Sequence, residues 1–330
     1  MATIKDVARM AEVSTATVAR YLKQPEIVSD ESKARIKIAI KELGYEPNSI
    51  ASMLKSMRSN IVGLIISDVT NPFFNNLIRS LNKLFLDSHK RLIVVYDDEN
   101  VDFVGQIRVM ISLRVEAVMF IPTRKSQTIE NLLIHNNCYP LQLFIDHYNI
   151  FDSLTINDRL GTYLAAKELI DNKHRNLLLI DFDNDIYRER LAGFKDALAE
   201  ARIAFDESMT CSLSDRDFMS HHDDIKRAIK DAKATGVISV TDTLTKNVFS
   251  SMSSLGKIIY HDYSLVMYDE SDWAKLQDVT TISHPFAEMT QKIQNLLLKN
   301  LDNHASKKFD APEKVIINPL IIRRNSVRTI

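Results

Sequence analysis

The chain has 330 residues, 45% of them hydrophobic, which is enough for a sizeable core and exceeds one typical domain. Its formal net charge of −1 excludes a globally basic nucleic-acid binder, and no apolar run reaches the length of a membrane span. Cys138 and Cys211 have no partner spacing, which excludes a disulfide framework; they read as reduced thiols of a cytoplasmic protein, and no signal peptide is expected ahead of Thr3.

Residues 1–60 carry 10 Lys and Arg against 7 Asp and Glu, and the remainder carries 32 against 36, so positive charge gathers mildly at the N-terminus. Thr3 can cap a first helix, with Asp6 three residues on. Ala8 and Ala11 keep its inner face small enough for a close neighbour. Glu12 and Val13 form a turn, Ser14 is a second cap, and a second helix is predicted from Thr15 to Leu22 with Val7, Val18 and Leu22 facing inward. Ser29 caps a third helix, Ile36, Ile40 and Leu43 follow at helical spacing, and Gly44 stops it. This pattern is a helix-turn-helix. The second helix of such a unit enters the major groove of DNA, which would place Thr15, Ala16 and Arg20 at base edges and Ser14 and Thr17 at phosphates. The bare pattern also fits a three-helix module that binds protein.

From Asn60 onward strand-like and helical stretches alternate. Strands are predicted at 61–67, 91–97, 117–122, 141–146, 154–157, 176–182, 236–240 and 264–269, with C-terminal strands near 314–324. Helices are predicted at 73–88, 101–113, 126–137, 158–172, 187–202, 218–233, 243–255 and 286–301. Continuous apolar strands with intervening helices imply parallel sheets covered on both faces, and ligands bind at the carboxyl ends of such strands. Asp146, Asp242 and Asp269 stand at those ends, and Arg190 opens the helix after the DFDND loop. Carboxylates accept hydroxyl protons and a guanidinium donates in a planar fork, a combination suited to a sugar. Each Asp also has a plainer reading as a helix cap, and Arg190 as a brace for its loop.

The runs TIKDVARMAEVSTATVARYL, LGYEPNSIASMLKS and SDVTNPFF closely resemble the LacI/GalR family of bacterial transcription regulators, over essentially the whole chain. The resemblance implies an N-terminal all-α helix-turn-helix headpiece with a hinge helix, plus a bilobed α/β body of two doubly wound parallel sheets like a periplasmic binding protein. The headpiece spans 1–45, the hinge 46–59 and the body 60–330, with lobe one about 60–156 and 286–317 and lobe two about 157–284 and 318–328. It implies operator contacts from Asn48, Ser49, Ala51 and Leu54 in the hinge, Leu54 being the apolar wedge that kinks DNA in the minor groove. It implies effector contacts from Phe73, Phe74, Asp146, Arg190, Asp242 and Asp269.

It further implies a homodimer on pseudo-palindromic double-stranded DNA, formed through helix 73–88 and segment 101–115; no heptad tail follows RRNSVRTI, so no tetramer is expected. Function is expected to be that of a cytoplasmic repressor controlled by a sugar or sugar derivative, with no enzyme activity, cofactor or metal. Alternatives are control by a purine or by a phosphocarrier corepressor protein, and, outside the class, a sugar-metabolism enzyme with a protein-binding N-terminal module. Several positions depart from the family pattern: Thr241 before Asp242, Met267, His284, Lys173 where a glycine is usual, and 7 glycines in all. These put the effector's identity in doubt. His284 could bind a ligand or brace the crossover. His221-His222-Asp223-Asp224 has metal-type residues, but neighbours on a helix face different ways.

Overall fold

A computed structural model describes residues 2–46, 59–66, 69, 71–96, 102–122, 125–183, 186–213, 221–305 and 311–330, with no side-chain description for Lys23 and 302–305. The chain divides into two units, Met1–Ser59 and Asn60–Ile330.

The first unit holds three α-helices among its described residues: α1 (Ile4–Met10), α2 (Thr15–Lys23) and α3 (Asp30–Leu43). Local chemistry sets their ends. Thr3 and Asp6 form a reciprocal capping box on α1, Ser14 accepts from the Thr17 N–H on α2, and Ser29 accepts from the Ser32 N–H on α3. Gly44 closes α3 in the left-handed region at φ 55°, where a residue without Cβ is unstrained. The turn between α1 and α2 runs through Glu12, itself left-handed at φ 52°. Val7, Ala8, Ala11, Val18, Val28, Ile36 and Ala39 make the core, and the small Ala8 and Ala11 let α2 and α3 approach α1.

The second unit contains two six-stranded sheets. Sheet one comprises β1 (Ile61–Ile66), β2 (Arg91–Tyr96), β3 (Ala117–Phe120), β4 (Tyr139–Leu143), β5 (Asp152–Ile156) and β11 (Lys314–Ile317), in the order β11-β5-β4-β3-β1-β2. All its pairings are parallel. Sheet two comprises β6 (Leu177–Phe182), β7 (Thr210–Leu213), β8 (Gly236–Ser239), β9 (Ser264–Tyr268), β10 (Thr280–Ser283) and β12 (Leu320–Ile322), in the order β12-β10-β9-β8-β6-β7, with only β12 antiparallel. In each sheet the strand order reverses beside one strand, β1 in the first and β6 in the second, which is where such folds take ligands.

The helices of this unit are α4 (Pro72–Asp87), α5 (Phe103–Ser112), α6 (Gln127–His135), α7 (Asp158–Asp171), α8 (Tyr187–Glu200), α9 (His222–Asp231), α10 (Asp242–Ser254), α11 (Asp272–Leu276) and α12 (Phe286–Ala305). Separate apolar clusters lie with α4 and α12 and with α5 and α6 in lobe one. A single larger cluster fills lobe two. Helices α7 and α8 pack so closely that a Cβ on Gly193 would lie 1.9 Å from the Arg159 carbonyl oxygen.

The chain passes between the sheets three times, near 157, 284 and 318. Two crossings are tied together, because Asn157 donates from its side chain to Asn318 Oδ1 (3.0 Å) and from its backbone to the Ile317 carbonyl (2.8 Å). The patterning of the sequence does not reveal β7 (TCSL), β10 (TTIS) or the one-and-a-half-turn α11. They are short, and two of them are polar enough to look like loops. The strand predicted at 141–146 starts earlier and ends at Leu143, so Asp146 is not a strand-end residue. Phe144 turns the chain at φ 66°, and the loop runs back to the start of β5.

Candidate functional site

On α2, the positions expected to face bases are open: Thr15, Ala16 and Arg20 are exposed, as is Ser14, while Thr17 is half-buried. Val18, on the opposite face, is fully buried. Ser14 is already engaged as the cap of α2, and its hydroxyl pairs with that of Thr17 at 2.8 Å. The arrangement leaves an outward stripe of small and cationic side chains on a helix held rigidly by its core. The hinge positions Asn48, Ser49, Ala51 and Leu54 lie outside the described residues.

In the body, Arg190 sits on the first turn of α8, under the carboxyl edge of sheet two. Its Nε donates to Asp158 Oδ1 (2.8 Å) and its Nη1 to Asp181 Oδ1 (3.1 Å). The guanidinium carbon lies 5.0 Å from the centre of the Tyr268 ring, within the range of a cation–π contact. Asp158 opens α7, and Asp181 is the fifth residue of the apolar strand β6. Tyr268 ends β9; its hydroxyl pairs with Thr162 Oγ1 at 2.7 Å and donates to the Asp158 carbonyl at 3.2 Å. Burial opposes charge on Arg190, but Asp181 and Asp158 outweigh it and hold the guanidinium firmly protonated. Burial pushes the Asp181 carboxyl up to about 6, against the pull of Arg190 and of the Phe182 N–H. Its second oxygen, Oδ2, is buried without a hydrogen-bond partner.

Asp269 follows β9 in the left-handed region, φ 71°, and its Oδ1 lies 3.1 Å from His284 Nε2. His284 stands in the crossover from β10 to α12. It meets the edge of Phe73 at 5.1 Å between ring centres and lies 6.3 Å from the Tyr268 ring. Phe73, on α4 of lobe one, also contacts Phe74, Phe144 and Phe286 at 5.1 to 5.4 Å. A continuous path of contacts therefore runs from Arg190 through Tyr268 and His284 to an aromatic wall on the other lobe. Asp242 is wholly buried at the start of α10, where it accepts from Ser271 Oγ (3.2 Å) and pairs with Lys246 (2.5 Å). The cap of that helix is Thr241, which precedes it.

Phe73, Phe74, Arg190, Asp269 and, at one remove, Asp242 thus gather along one edge. Asp146 is not brought to them. It is held by Lys314 Nζ (2.7 Å) and Gln142 Nε2 (3.0 Å) in the loop folded back toward the start of β5 and β11. None of Asp146, Asp242 and Asp269 is a helix cap. Sequence reasoning missed Asp158, Asp181, Tyr268 and Ser271. The one legible signal was Asp181, an acid inside the apolar run LLLIDF. A separate hollow of about 460 Å³ lies between β7 and α9, lined by Thr210, Ser212, His221, Asp224 and Arg227 among others, and shares none of these site residues. Among the described residues no group of three or more metal-ligating side chains converges; in the His-His-Asp-Asp run the nearest approach is His221 to Asp224 at 3.8 Å.

Residues 3–48 match the model of the lacI family of bacterial regulatory proteins, and residues 166–327 match a periplasmic binding protein-like domain. The HTH-type transcriptional repressor PurR of Photobacterium profundum is 27% identical over 99% of both chains. The ribose operon repressor of Haemophilus influenzae is also 27% identical, again over 99% of both. Among solved structures, the Lac repressor dimer bound to operator and the anti-inducer ONPF is 20% identical over 99% of both chains, with a TM-score of 0.81. The transcriptional regulator CelR in complex with cellobiose is 20% identical, over 99% of this chain and 100% of that one, with a TM-score of 0.71. A headpiece matching one model, a body matching the other, and full-length relatives that are repressors lead to one conclusion: the chain joins a lacI-family DNA-binding domain to a periplasmic binding protein-like body and is a DNA-binding transcription regulator, not an enzyme.

Proposed function

We propose that the chain is a homodimeric, cytoplasmic repressor whose affinity for a pseudo-palindromic operator is set by a small polyhydroxylated ligand, a sugar or sugar derivative, bound between the lobes. The observation that carries this reading is the gathering of Arg190, Asp269 and His284 against Phe73, donors and acceptors facing an aromatic wall across two lobes. Hydroxyls of a sugar satisfy such polar groups while its apolar face lies on the ring. The relatives named for ribose and cellobiose support the same class. Asp146 has no part in this reading, and Asp242 supports the edge through Ser271 and does not touch the ligand.

On DNA, Thr15, Ala16 and Arg20 read base edges, Ser14 and Thr17 meet phosphates, and the hinge residues Asn48, Ser49, Ala51 and Leu54 contact the minor groove. The partner copy packs on lobe one. On α4, Leu77, Leu81 and Phe85 are buried in the sheet's own core, so the free apolar surface is elsewhere. Leu86 on α4, Val94 and Tyr96 on the edge strand β2, Val109 on α5 and Leu113 at its C-terminal cap are exposed; these form the dimer face in this reading.

The test is a thermal-shift panel of neutral pentoses, hexoses, disaccharides and purine bases on the full chain. A ligand at about 100 times its dissociation constant stabilises the body by about 2.7 kcal/mol. A sugar that does so, and does so no longer after Asp269→Asn, supports the reading. A panel in which only purine bases bind replaces it with a purine-controlled regulator, for which the Phe73 wall would serve as a stacking surface.

A further inference from the structure

We infer that the ligand meets Arg190 without a negative charge: this wall of the cleft takes an uncharged or amine-bearing hydroxyl compound and excludes phosphorylated and carboxylated ones, with Asp158 and Asp181 setting that choice. The inference rests on the reading that a small ligand binds at this edge. An arginine at a ligand edge ordinarily invites a phosphate or carboxylate, whose oxygens match its fork. Here two of its five N–H groups are taken from within. Asp158 takes Nε and Asp181 takes Nη1, both at hydrogen-bond distance.

The rest of the edge repeats the pattern. Lys246 is paired to Asp242, and the remaining carboxylate, Asp269, faces His284. Among the described residues of this edge, the carboxylates Asp158, Asp181, Asp242 and Asp269 therefore outnumber the permanent cations Arg190 and Lys246, a balance that disfavours anions. Asp181 adds a positive preference. It is wholly buried, and its Oδ2 lacks a donor, so a hydroxyl or ammonium hydrogen reaching it relieves a desolvated acceptor. Arg190 retains N–H groups beyond the two so engaged, and these suit neutral oxygens, which do not compete with the carboxylates for the charge.

The experiment titrates inorganic phosphate into the full chain at neutral pH and low salt, where charge effects are least screened, with chloride of equal ionic strength as the blank. The wild-type chain is expected to show no saturable phosphate binding. The double variant Asp158→Asn/Asp181→Asn is expected to bind phosphate, with a gain of about tenfold for each carboxylate removed. Asp181→Asn alone keeps the side chain's shape and removes a buried charge. It carries the test if the double variant fails to fold by circular dichroism, and it should gain about tenfold. Wild-type protein that binds phosphate as tightly as the variants, or variants that gain nothing, overturns the inference. So does a sugar phosphate that stabilises wild-type protein more than the parent sugar, although that result would uphold a ligand at this edge. A neutral panel with no binder, beside variants that do gain phosphate, would instead sink the ligand reading and leave the charge exclusion standing.

Discussion

On α2, the side chains that would meet a partner point outward and are unengaged: Thr15, Ala16 and Arg20 are exposed, and Arg20 has no ion pair among the described residues. Along the carboxyl edge of sheet two, the corresponding side chains are turned on one another. Arg190 is clasped by Asp158 and Asp181, Asp269 faces His284, and Asp242 lies between Ser271 and Lys246. Two regions with recognition chemistry therefore carry different energetic burdens. Surface side chains can change at little cost to the fold. Buried ionic groups are coupled to it, because removing one partner strands the other in a poorly solvated place. A recognition helix can thus diverge freely, while the cleft can change ligand only by coordinated substitution.

The largest effect expected from this contrast is at Arg190. Arg190→Ala leaves Asp158 and Asp181 buried and unpaired, and urea denaturation should show the body destabilised by about 3–5 kcal/mol. A loss under about 1 kcal/mol would mean that the triad is solvated like a surface pair. For the same reason Arg190→Ala is a poor test of ligand binding, and Asp269→Asn is the cleaner one. Next comes Gly193→Ala, which forces a methyl against the Arg159 carbonyl oxygen and should lower stability by about 1–3 kcal/mol through separation of α7 and α8. Arg20→Ala makes the opposite case. Operator affinity should fall by about 1–3 kcal/mol, with relaxed preference at one base pair per half-site, while the melting curve stays within about 0.5 kcal/mol of wild type. Ser14→Ala, which removes a cap at the same helix, should lower headpiece stability by about 1 kcal/mol.

A further effect concerns pH. Asp181 binds its proton more tightly folded than unfolded, since burial raises it from the ordinary 3.8 to about 6. Its contribution favours the fold most below about pH 4 and is lost as pH rises through 6. Melting temperatures of Asp181→Asn and wild type, compared across that interval, should therefore show the variant gaining relative to wild type as pH rises. Parallel profiles would contradict a buried, proton-binding Asp181.

What could be read from the sequence follows the same division. Thr3, Ser14, Ser29 and Gly44 act within a few residues of themselves, so their roles as caps and stop are visible in the local pattern and recur in the structure. The apolar strands of both sheets are visible for the same reason. Arg190 is visible through its motif, but its partners are not: Asp158 lies 32 residues away, and only the packing of α7 on α8 brings it in. Asp146 looked like a strand end because the run LQLFID is continuous. The strand stops at Leu143 because Phe144 adopts a left-handed turn, which apolar patterning does not register. Strands β7 and β10 are polar and short, and become strands through their neighbours.

The account depends most on a link between the buried edge and the exposed helix. The direct measurement is fluorescence anisotropy of a duplex selected by the full chain from a random pool, titrated with and without the best neutral binder of the sugar panel. Wild-type affinity should change by about 5- to 150-fold on adding the ligand, the usual range of allosteric coupling, and Asp269→Asn should lose that response. An Asp269→Asn chain that responds to the ligand as wild type does would contradict the placement of control at this edge.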